Sequence, residues 1–283
     1  MELDDLKVTR YGVTDAIATI TLHRPERLNA WTGRMHTEYR ALLARAADDV
    51  TVRVIVVTGS GRGFCVGADT KALEGHVERG SYDPGVGSDL ARPGYGVRPE
   101  FDVDFAYHFG IAKPIIAAIN GPAAGVGLVL ACYCDLRFAA AGVKLTTSHG
   151  RLGLPAEYGL SWLLPRLIGM TRAADILLSS RVVVAEEAER LGLVNRVVAS
   201  EELLATTYAY AGLLATEIAP SSLASTKLQM YTDLHRDVAS SVTESSARMF
   251  EMIKGPDFGE GVSALTERRA PNFKNATPAT TSD

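Results

Sequence analysis

Two apolar stretches that each run into a loop constrain the fold of this chain most. They are "VRVIVVTGSG" (52–61) and "KPIIAAIN" (113–120), and both are apolar enough to be buried strands. A further strand is predicted at "AIATITLHRP" (16–25), which ends at a proline, and a half-buried helix is predicted at 31–49. Because strand, helix and strand alternate, we expect an α/β fold with a parallel sheet and crossover connections.

The alternation of strands and helices continues to about residue 198. The stretch "LVLACYCDLRFAAA" (128–141) begins as a helix and passes into a strand, and "VVAEEAERLGLVNRVV" (183–198) is a helix with a glycine stop and a short strand. From Ser200 onward the pattern predicts helices only.

Composition argues against several classes of function. The 283 residues carry a formal net charge of −4, so nothing suggests nucleic acid or a membrane as partner, although a local basic patch for a phosphorylated ligand stays open. The N-terminus "MELDDLKVTR" lacks an apolar signal core, and charged residues interrupt each long apolar run, which predicts a soluble, cytoplasmic protein. The three cysteines, Cys65, Cys132 and Cys134, suit neither a disulfide framework nor a metal site and are expected to be buried and reduced.

Residues 74–105 interrupt the alternation with glycine, proline and charge. Two interpretations stay open, a disordered surface loop and a lid that orders over a ligand. The aromatic residues of the segment favour a lid, because a fully solvated loop has little use for such apolar surface: Tyr82, Tyr95, Phe101 and Phe105.

The stretch "NGPAAGVGLVLACYCD" (120–135) has the features of an oxyanion-binding loop. Small residues allow a tight turn at Gly125–Gly127, and an apolar helical run follows. Backbone N–H groups at such a helix start can face a developing negative charge. The stretch contains no Glu, His or Lys, so a proton-transfer group has to come from elsewhere in the chain.

Several stretches together resemble the crotonase superfamily, also called the enoyl-CoA hydratase/isomerase superfamily. They are "HRPERLNAWT" (23–32), "VVTGSGRGFCVGADTKAL" (56–73), "KPIIAAINGPAAGVG" (113–127), "CDLRFAAAGVKL" (134–145), "GLSWLLPRLIG" (159–169), "AEEAERLGLVNRVV" (185–198) and "GVSALTERRAPNFK" (261–274). The resemblance implies a spiral of ββα units over residues 1–199 and a C-terminal helical region over 200–283. It also implies acyl-CoA thioester ligands and a homotrimer or a dimer of trimers.

By position in those motifs, the resemblance implies that the N–H groups of Ala68 and Val126 hold the thioester oxygen, with Gly125 shaping the second loop. The alternative is that two glycine turns merely join strands to helices. Arg24 and Arg27 precede the first helix, where family members often meet the CoA phosphates. Substrate or CoA contacts are further expected from two residues beside the first loop, Asp69, which is also expected to stabilise that loop, and Lys71.

The chain departs from the family at both glutamates that hydratases of this family use. The first position holds Val129, and ungapped counting puts His149 at the second. A carboxylate returns at Glu157 in "LPAEYG", near where some family isomerases and dehalogenases carry an aspartate. A carboxyl group in an apolar cleft has a raised pKa and can transfer protons. The alternatives are an exposed Glu157 near a helix N-terminus and a purely structural His149.

Three functions follow from this set of residues. A double-bond isomerase using Glu157 requires one proton-transfer group, whereas hydration must handle both a water and an α-proton. A hydratase, hydrolase or lyase would use Glu157 together with His149. A non-catalytic acyl-CoA-binding protein would keep the loops alone. No motif for a metal or a nicotinamide is present, so no cofactor is expected apart from the CoA of the substrate.

Overall fold

The computed structural model describes residues 1–80 and 99–274, and its central feature is a six-stranded sheet. Its strands are β1 (Thr9–Thr14), β2 (Ile17–Leu22), β3 (Val54–Gly59), β4 (Ile115–Ile119), β6 (Leu136–Ala140) and β9 (Arg196–Val198). They lie side by side in that order, and every pair except the antiparallel β1–β2 hairpin is parallel. The predicted α/β fold with a parallel sheet is confirmed, whereas the sequence pattern does not predict β1.

A second, three-stranded sheet lies beside the loop that precedes the apolar helix. It consists of β5 (Ala123–Ala124), β7 (Lys144–Thr146) and β8 (Val183–Val184). β7 is the middle strand and pairs parallel with β5 and antiparallel with β8. Because β5 ends one residue before Gly125, this sheet anchors the second predicted oxyanion loop.

The helices of the described chain lie between the strands as far as β9, and after β9 they follow one another to Glu267. They are α1 (Gly33–Asp48), α2 (Thr70–Arg79), α3 (Tyr107–Gly110), α4 (Val126–Tyr133), α5 (Leu160–Ile168), α6 (Met170–Ser179), α7 (Ala185–Leu191), α8 (Leu203–Glu217), α9 (Pro220–Thr232), α10 (Val238–Met252) and α11 (Pro256–Glu267). None of the helices in the described ranges is long and apolar enough to cross a membrane.

In α1 the helical spacing of apolar residues along the sequence determines which side of the helix is buried. Thr32 caps the helix, since its hydroxyl accepts a hydrogen bond from the Met35 N–H at 3.1 Å. The apolar residues three and four apart all face the core and are buried: Met35, Tyr39, Leu42 and Leu43.

The three cysteines are free and buried, as predicted. Burial raises the pKa of the Cys65 thiol to about 12 and that of Cys132 to about 11, so both stay protonated.

Part of the predicted lid is core. Residues 74–79 belong to α2, while residues 81–98, including Tyr82 and Tyr95, lie outside the described part of the chain. Phe101 and Phe105 are both buried, and Phe105 packs against Trp31. These two rings therefore belong to the hydrophobic core and not to the surface of a lid.

The helices beyond residue 199 are tied directly to the sheet. α8 packs on β2, β3, β4 and β6. The Lys227 ammonium of α9 lies 2.7 Å from the Asp135 carboxylate, which also accepts hydrogen bonds from the Tyr231 hydroxyl and the Ile115 N–H. The division into a core over 1–199 and a helical region over 200–283 remains a prediction.

We expect Lys227→Ala to lower the free energy of unfolding by about 3 kcal/mol, because it leaves the Asp135 carboxylate, whose side chain is only 13% exposed, without its cation. Only 6% of the Lys227 side chain is exposed. The control is Lys254→Ala. Lys254 forms a solvent-exposed ion pair with Glu251, so its loss should lower the free energy of unfolding by less than about 1 kcal/mol. Urea unfolding measures both, and equal effects would contradict the prediction.

Candidate active site

Two loops meet at the centre of the candidate site, one around residues 65–68 and the other around 123–127. Cys65 and Ala123 form a parallel bridge, and the Ala124 N–H donates to the Cys65 carbonyl at 2.9 Å. A Cβ at Gly127 would overlap that same carbonyl oxygen, so only glycine lets the second loop come this close.

The first loop presents the backbone N–H of Ala68. The Trp31 N–H donates to the Gly67 carbonyl at 2.7 Å, and the Asp69 N–H donates to the Trp31 carbonyl at 2.9 Å. These two bonds hold Ala68 from both sides. Its own N–H has no acceptor within residues 1–80 and 99–274, and the residue is exposed.

The second loop presents the N–H of Val126, the first residue of α4. Gly125 turns the chain with φ +50°, and its N–H donates to the Thr146 carbonyl at 3.0 Å. The Val126 N–H finds no acceptor in the described chain, as expected at a helix start. The positive end of the α4 dipole adds to this donor, so the adjoining loops offer two N–H groups suited to an oxyanion.

Glu157 is the carboxylate of this region. It begins a short 3₁₀ turn (Glu157–Gly159) that packs against α4, and it is half-buried. Burial raises its pKa, and the charge of His149 partly offsets that rise. No side chain or backbone group of the described residues forms a hydrogen bond or ion pair with its carboxylate.

The two positions of the family glutamates hold very different residues. Val129 lies on α4 with 1% of its surface exposed, and it packs in the core. His149 is also buried, and its backbone N–H donates to the Thr147 carbonyl at 2.7 Å. The Thr147 carbonyl lies next to Gly125, so His149 is brought close to the second loop as well as to Glu157.

The charged residues beside the first loop divide into fixed and free groups. Asp69 is buried, caps α2 through the Lys71 N–H, and pairs with Arg24 at 3.0 Å. Arg24 also donates to the Ala30 carbonyl, so its guanidinium is engaged within the protein. Arg27 and Lys71 are exposed, and the charge of Arg27 acts on Asp69. The loop-stabilising position of Asp69 agrees with the sequence expectation, and the CoA contacts remain predictions.

Of the predicted site residues, Ala68 and Asp69 lie on or beside the first loop and Gly125 and Val126 on the second, while Glu157 lies on a turn that packs against α4. Sequence reasoning missed two residues that hold these segments in place. Trp31 brackets Ala68 through its backbone. Tyr133, at the end of α4, donates from its hydroxyl to the Tyr158 carbonyl at 2.6 Å. The "LNAWT" and "ACYCD" stretches contain both residues, but no local period indicates contacts to residues 36 and 25 positions away.

The family model for enoyl-CoA hydratase/isomerase matches residues 12–276. The chain belongs to this family. It is 40% identical to a protein of Mycobacterium tuberculosis named "Probable enoyl-CoA hydratase EchA12", over 92% of this chain and 90% of that protein. It is 33% identical to the 1,2-epoxyphenylacetyl-CoA isomerase of Escherichia coli, over 92% and 96% of the two chains.

Solved structures of the family confirm the crotonase fold with its C-terminal helical region. The enoyl-CoA hydratase of Bacillus anthracis superposes with a TM-score of 0.83 at 26% identity, covering 95% of this chain and all of that one. A structure from Streptomyces coelicolor, described as an enoyl-CoA hydratase, has the same TM-score at 31% identity and covers 95% of each chain.

We expect Glu157→Gln to stabilise this family member at about pH 8 and to have little effect near pH 4. Folding raises the pKa of Glu157, so the stability that it contributes is present below its unfolded pKa and is lost as pH rises through the folded value. Removing the charge removes that loss. Thermal melts at intervals between about pH 4 and pH 8 measure the difference.

Asp69→Asn is the matched control with the opposite sign. Burial alone would raise the pKa of Asp69, but hydrogen bonds from Arg24 and from the Lys71 N–H hold it below its usual value. Its stabilisation is present above its unfolded pKa and is lost as pH falls, so this variant should be less stable at pH 8. If Glu157→Gln also lowered the melting temperature at pH 8, Glu157 would be a structural carboxylate.

Proposed function

We propose that the protein is an acyl-CoA double-bond isomerase in which Glu157 carries the proton. The observation that supports this most is a half-buried carboxylate with a raised pKa and no partner among the described residues, on a turn that packs against α4, whose first N–H also has no acceptor there. The family positions that would activate water hold Val129 and His149, which leaves one strong proton carrier. Moving a double bond needs one such group.

The proposed reaction takes a 3-enoyl-CoA to a 2-enoyl-CoA. The Glu157 carboxylate removes a proton from C2, and the electrons of that C–H bond form a dienolate with its negative charge on the thioester oxygen. The N–H groups of Ala68 and Val126 stabilise this oxygen. The protonated Glu157 then returns the proton to C4, and the double bond moves from C3–C4 to C2–C3. The proton count balances, and no cofactor beyond the CoA of the substrate takes part.

The CoA portion has basic groups available near the first loop. Arg27 lies on the 3₁₀ turn Pro25–Arg27, and Lys71 lies in the first turn of α2. Both side chains are exposed and are proposed to meet CoA phosphates. Asp69 and Gly125 then act on the substrate indirectly, by holding the two loops.

A second candidate is hydration, hydrolysis or lyase chemistry with Glu157 and His149 acting together. The observation that favours it is the position of His149, which is buried and close enough for its charge to act on Glu157. The names of relatives include both hydratase and isomerase, so they leave this choice open. A third candidate, a non-catalytic acyl-CoA binder, predicts that Glu157 has no effect on any reaction.

Incubation with 3-enoyl-, 2-enoyl- and 3-hydroxyacyl-CoA in deuterated water separates these candidates. We expect the two enoyl isomers to interconvert without addition of water across the double bond. Glu157→Gln should lose about two to four orders of magnitude in kcat, because proton transfer is removed. Formation of 3-hydroxyacyl-CoA from the 2-enoyl substrate would support hydration instead, and unchanged turnover in Glu157→Gln would contradict both enzyme proposals.

The oxyanion donors are tested at the start of α4. Val126→Pro removes the N–H at the first helical position, where proline is tolerated, and should lower kcat by about two to three orders of magnitude. Val126→Ala is the control, because it keeps the N–H and should retain activity within a few-fold. If a folded Val126→Pro protein turned over as fast as the alanine variant, the assignment of this donor would be wrong.

We further propose that the protein forms a homotrimer or a dimer of trimers. The C-terminal helices expose large apolar side chains in this single chain, namely Val238, Val242, Met249, Phe250, Phe258, Val262 and Leu265. Exposed apolar surface of this extent is typical of an interface. Analytical ultracentrifugation at micromolar concentration should give a trimer or hexamer, and Phe250→Glu should shift it toward smaller species; a monomeric wild type would contradict the proposal.

A further inference from the structure

One buried helix joins both parts of the candidate site. α4 begins at Val126, whose N–H is the second proposed donor, and ends at Tyr133. The Tyr133 hydroxyl donates a hydrogen bond of 2.6 Å to the carbonyl of Tyr158, the residue that directly follows Glu157. An eight-residue helix spans about 12 Å, so α4 sets the spacing between the donor and the Glu157 segment.

The backbone at Glu157 is held in a conformation that needs such support. Tyr158 has φ +50° and Gly159 has φ +71°, so two consecutive residues are left-handed. A tyrosine in this region is strained, and it persists when its surroundings hold it. A Cβ at Gly159 would lie only 2.9 Å from the Tyr133 hydroxyl, so the hydroxyl already fills the space against this turn.

The supporting side chain is itself immobilised. All eight residues of α4 are buried. The Tyr133 ring packs on Phe109 at 5.1 Å between centroids and on Phe105 at 6.3 Å, and Phe105 meets the edge of the Tyr158 ring at 5.1 Å. The hydroxyl of Tyr133 therefore has a defined position relative to the Tyr158 carbonyl.

We propose that Tyr133 is a positioning residue for Glu157. Its hydrogen bond to the Tyr158 carbonyl fixes the turn that aims the carboxylate and keeps the carboxylate half-buried at a set distance from the Val126 N–H. This inference rests on the proposed function for its catalytic consequence, but the position of Glu157 is measurable without any reaction.

The ionisable groups around this turn are compatible with a protonated Tyr133 hydroxyl and with a Glu157 carboxylate whose pKa depends on its surroundings. Burial raises the pKa of Tyr133 to about 12, so its hydroxyl stays protonated at working pH. The titratable or charged groups on the elements around the turn are His149 and Arg151 on the preceding 3₁₀ turn, Tyr107 and His108 on α3, Cys132 and Tyr133 on α4, Tyr158 in the turn itself and Arg166 on α5. Among these, His149 is the one whose charge acts on Glu157, while burial lowers the pKa of His108 to about 3 and keeps it neutral.

The test compares Tyr133→Phe with Tyr39→Phe. Both variants delete one buried hydroxyl, but the Tyr39 hydroxyl pairs with His108 Nε2 at 2.7 Å and forms no hydrogen bond with the described residues of the 157–159 turn. For Tyr133→Phe we expect kcat on enoyl-CoA to fall about tenfold to a hundredfold, with little change in KM, because the carboxylate is misplaced and not lost. The acidic limb of the kcat/KM profile should move to lower pH, because a loosened turn lets water reach Glu157. Tyr39→Phe should keep kcat and this limb.

A second measurement needs no substrate. The difference in melting temperature between Glu157→Gln and its parent varies with pH according to the pKa shift of Glu157. This difference should be smaller in the Tyr133→Phe background than in the wild type, and unchanged in the Tyr39→Phe background.

The outcomes separate this inference from the proposed function. If the wild type did not isomerise any enoyl-CoA, the proposed function would be wrong, and the thermal measurement would still decide the position of Glu157. If Glu157→Gln abolished isomerisation but Tyr133→Phe kept the wild-type kcat and acidic limb, only the assignment of Tyr133 would be overturned. Equal losses of kcat in Tyr133→Phe and Tyr39→Phe would overturn it as well.

Discussion

The backbone contact between residues 65–68 and 123–127 is the constraint on which the rest of the site depends. Side chains would keep the loops apart, since a Cβ at Gly127 would overlap the Cys65 carbonyl, and one at Gly121 would overlap the carbonyl of Arg62. With glycine at these positions, neighbouring loops each leave one N–H without an acceptor in the described chain. The parallel sheet makes the contact possible, because β3 and β4 are adjacent and both loops follow their carboxyl ends.

The carboxylates of the protein show why Glu157 differs from the others. Glu38 is buried and accepts hydrogen bonds from the Lys7 and Val8 N–H groups and from the Arg34 side chain. Asp69 has Arg24, and Asp135 has Lys227. Each of these carboxylates stabilises a loop or a helix contact through its partners. Glu157 is half-buried without such partners in the described chain, and this arrangement, which costs stability, is what supports the proposed chemical role.

How far the sequence predicts this structure depends on how local the signal is. The buried strands β3 and β4, the helix α1 and the two glycine loops follow from period and turn chemistry within a few residues, and the family motifs locate Ala68 and Val126. The two-residue strands β5 and β8 carry no period of their own. Phe105 is expected on a lid but packs in the core, because burial depends on rings distant in sequence, such as Trp31. The hydrogen bond of Tyr133 is equally long-range.

In the proposed reaction, the environment of Glu157 and the two N–H donors both favour the transfer of negative charge from the carboxylate to the thioester oxygen. When Glu157 takes a proton, one negative charge leaves a half-buried carboxylate whose burial disfavours it, and the same charge appears on an oxygen that faces two N–H donors. The net charge of the site is unchanged in this step, so no ion has to enter or leave. In this proposal the helix α4 contributes at both ends, because its first residue would supply a donor and its last residue would hold the turn that carries Glu157. A buried apolar helix whose titratable groups are tyrosine and cysteine would thus link the two halves of the proposed site.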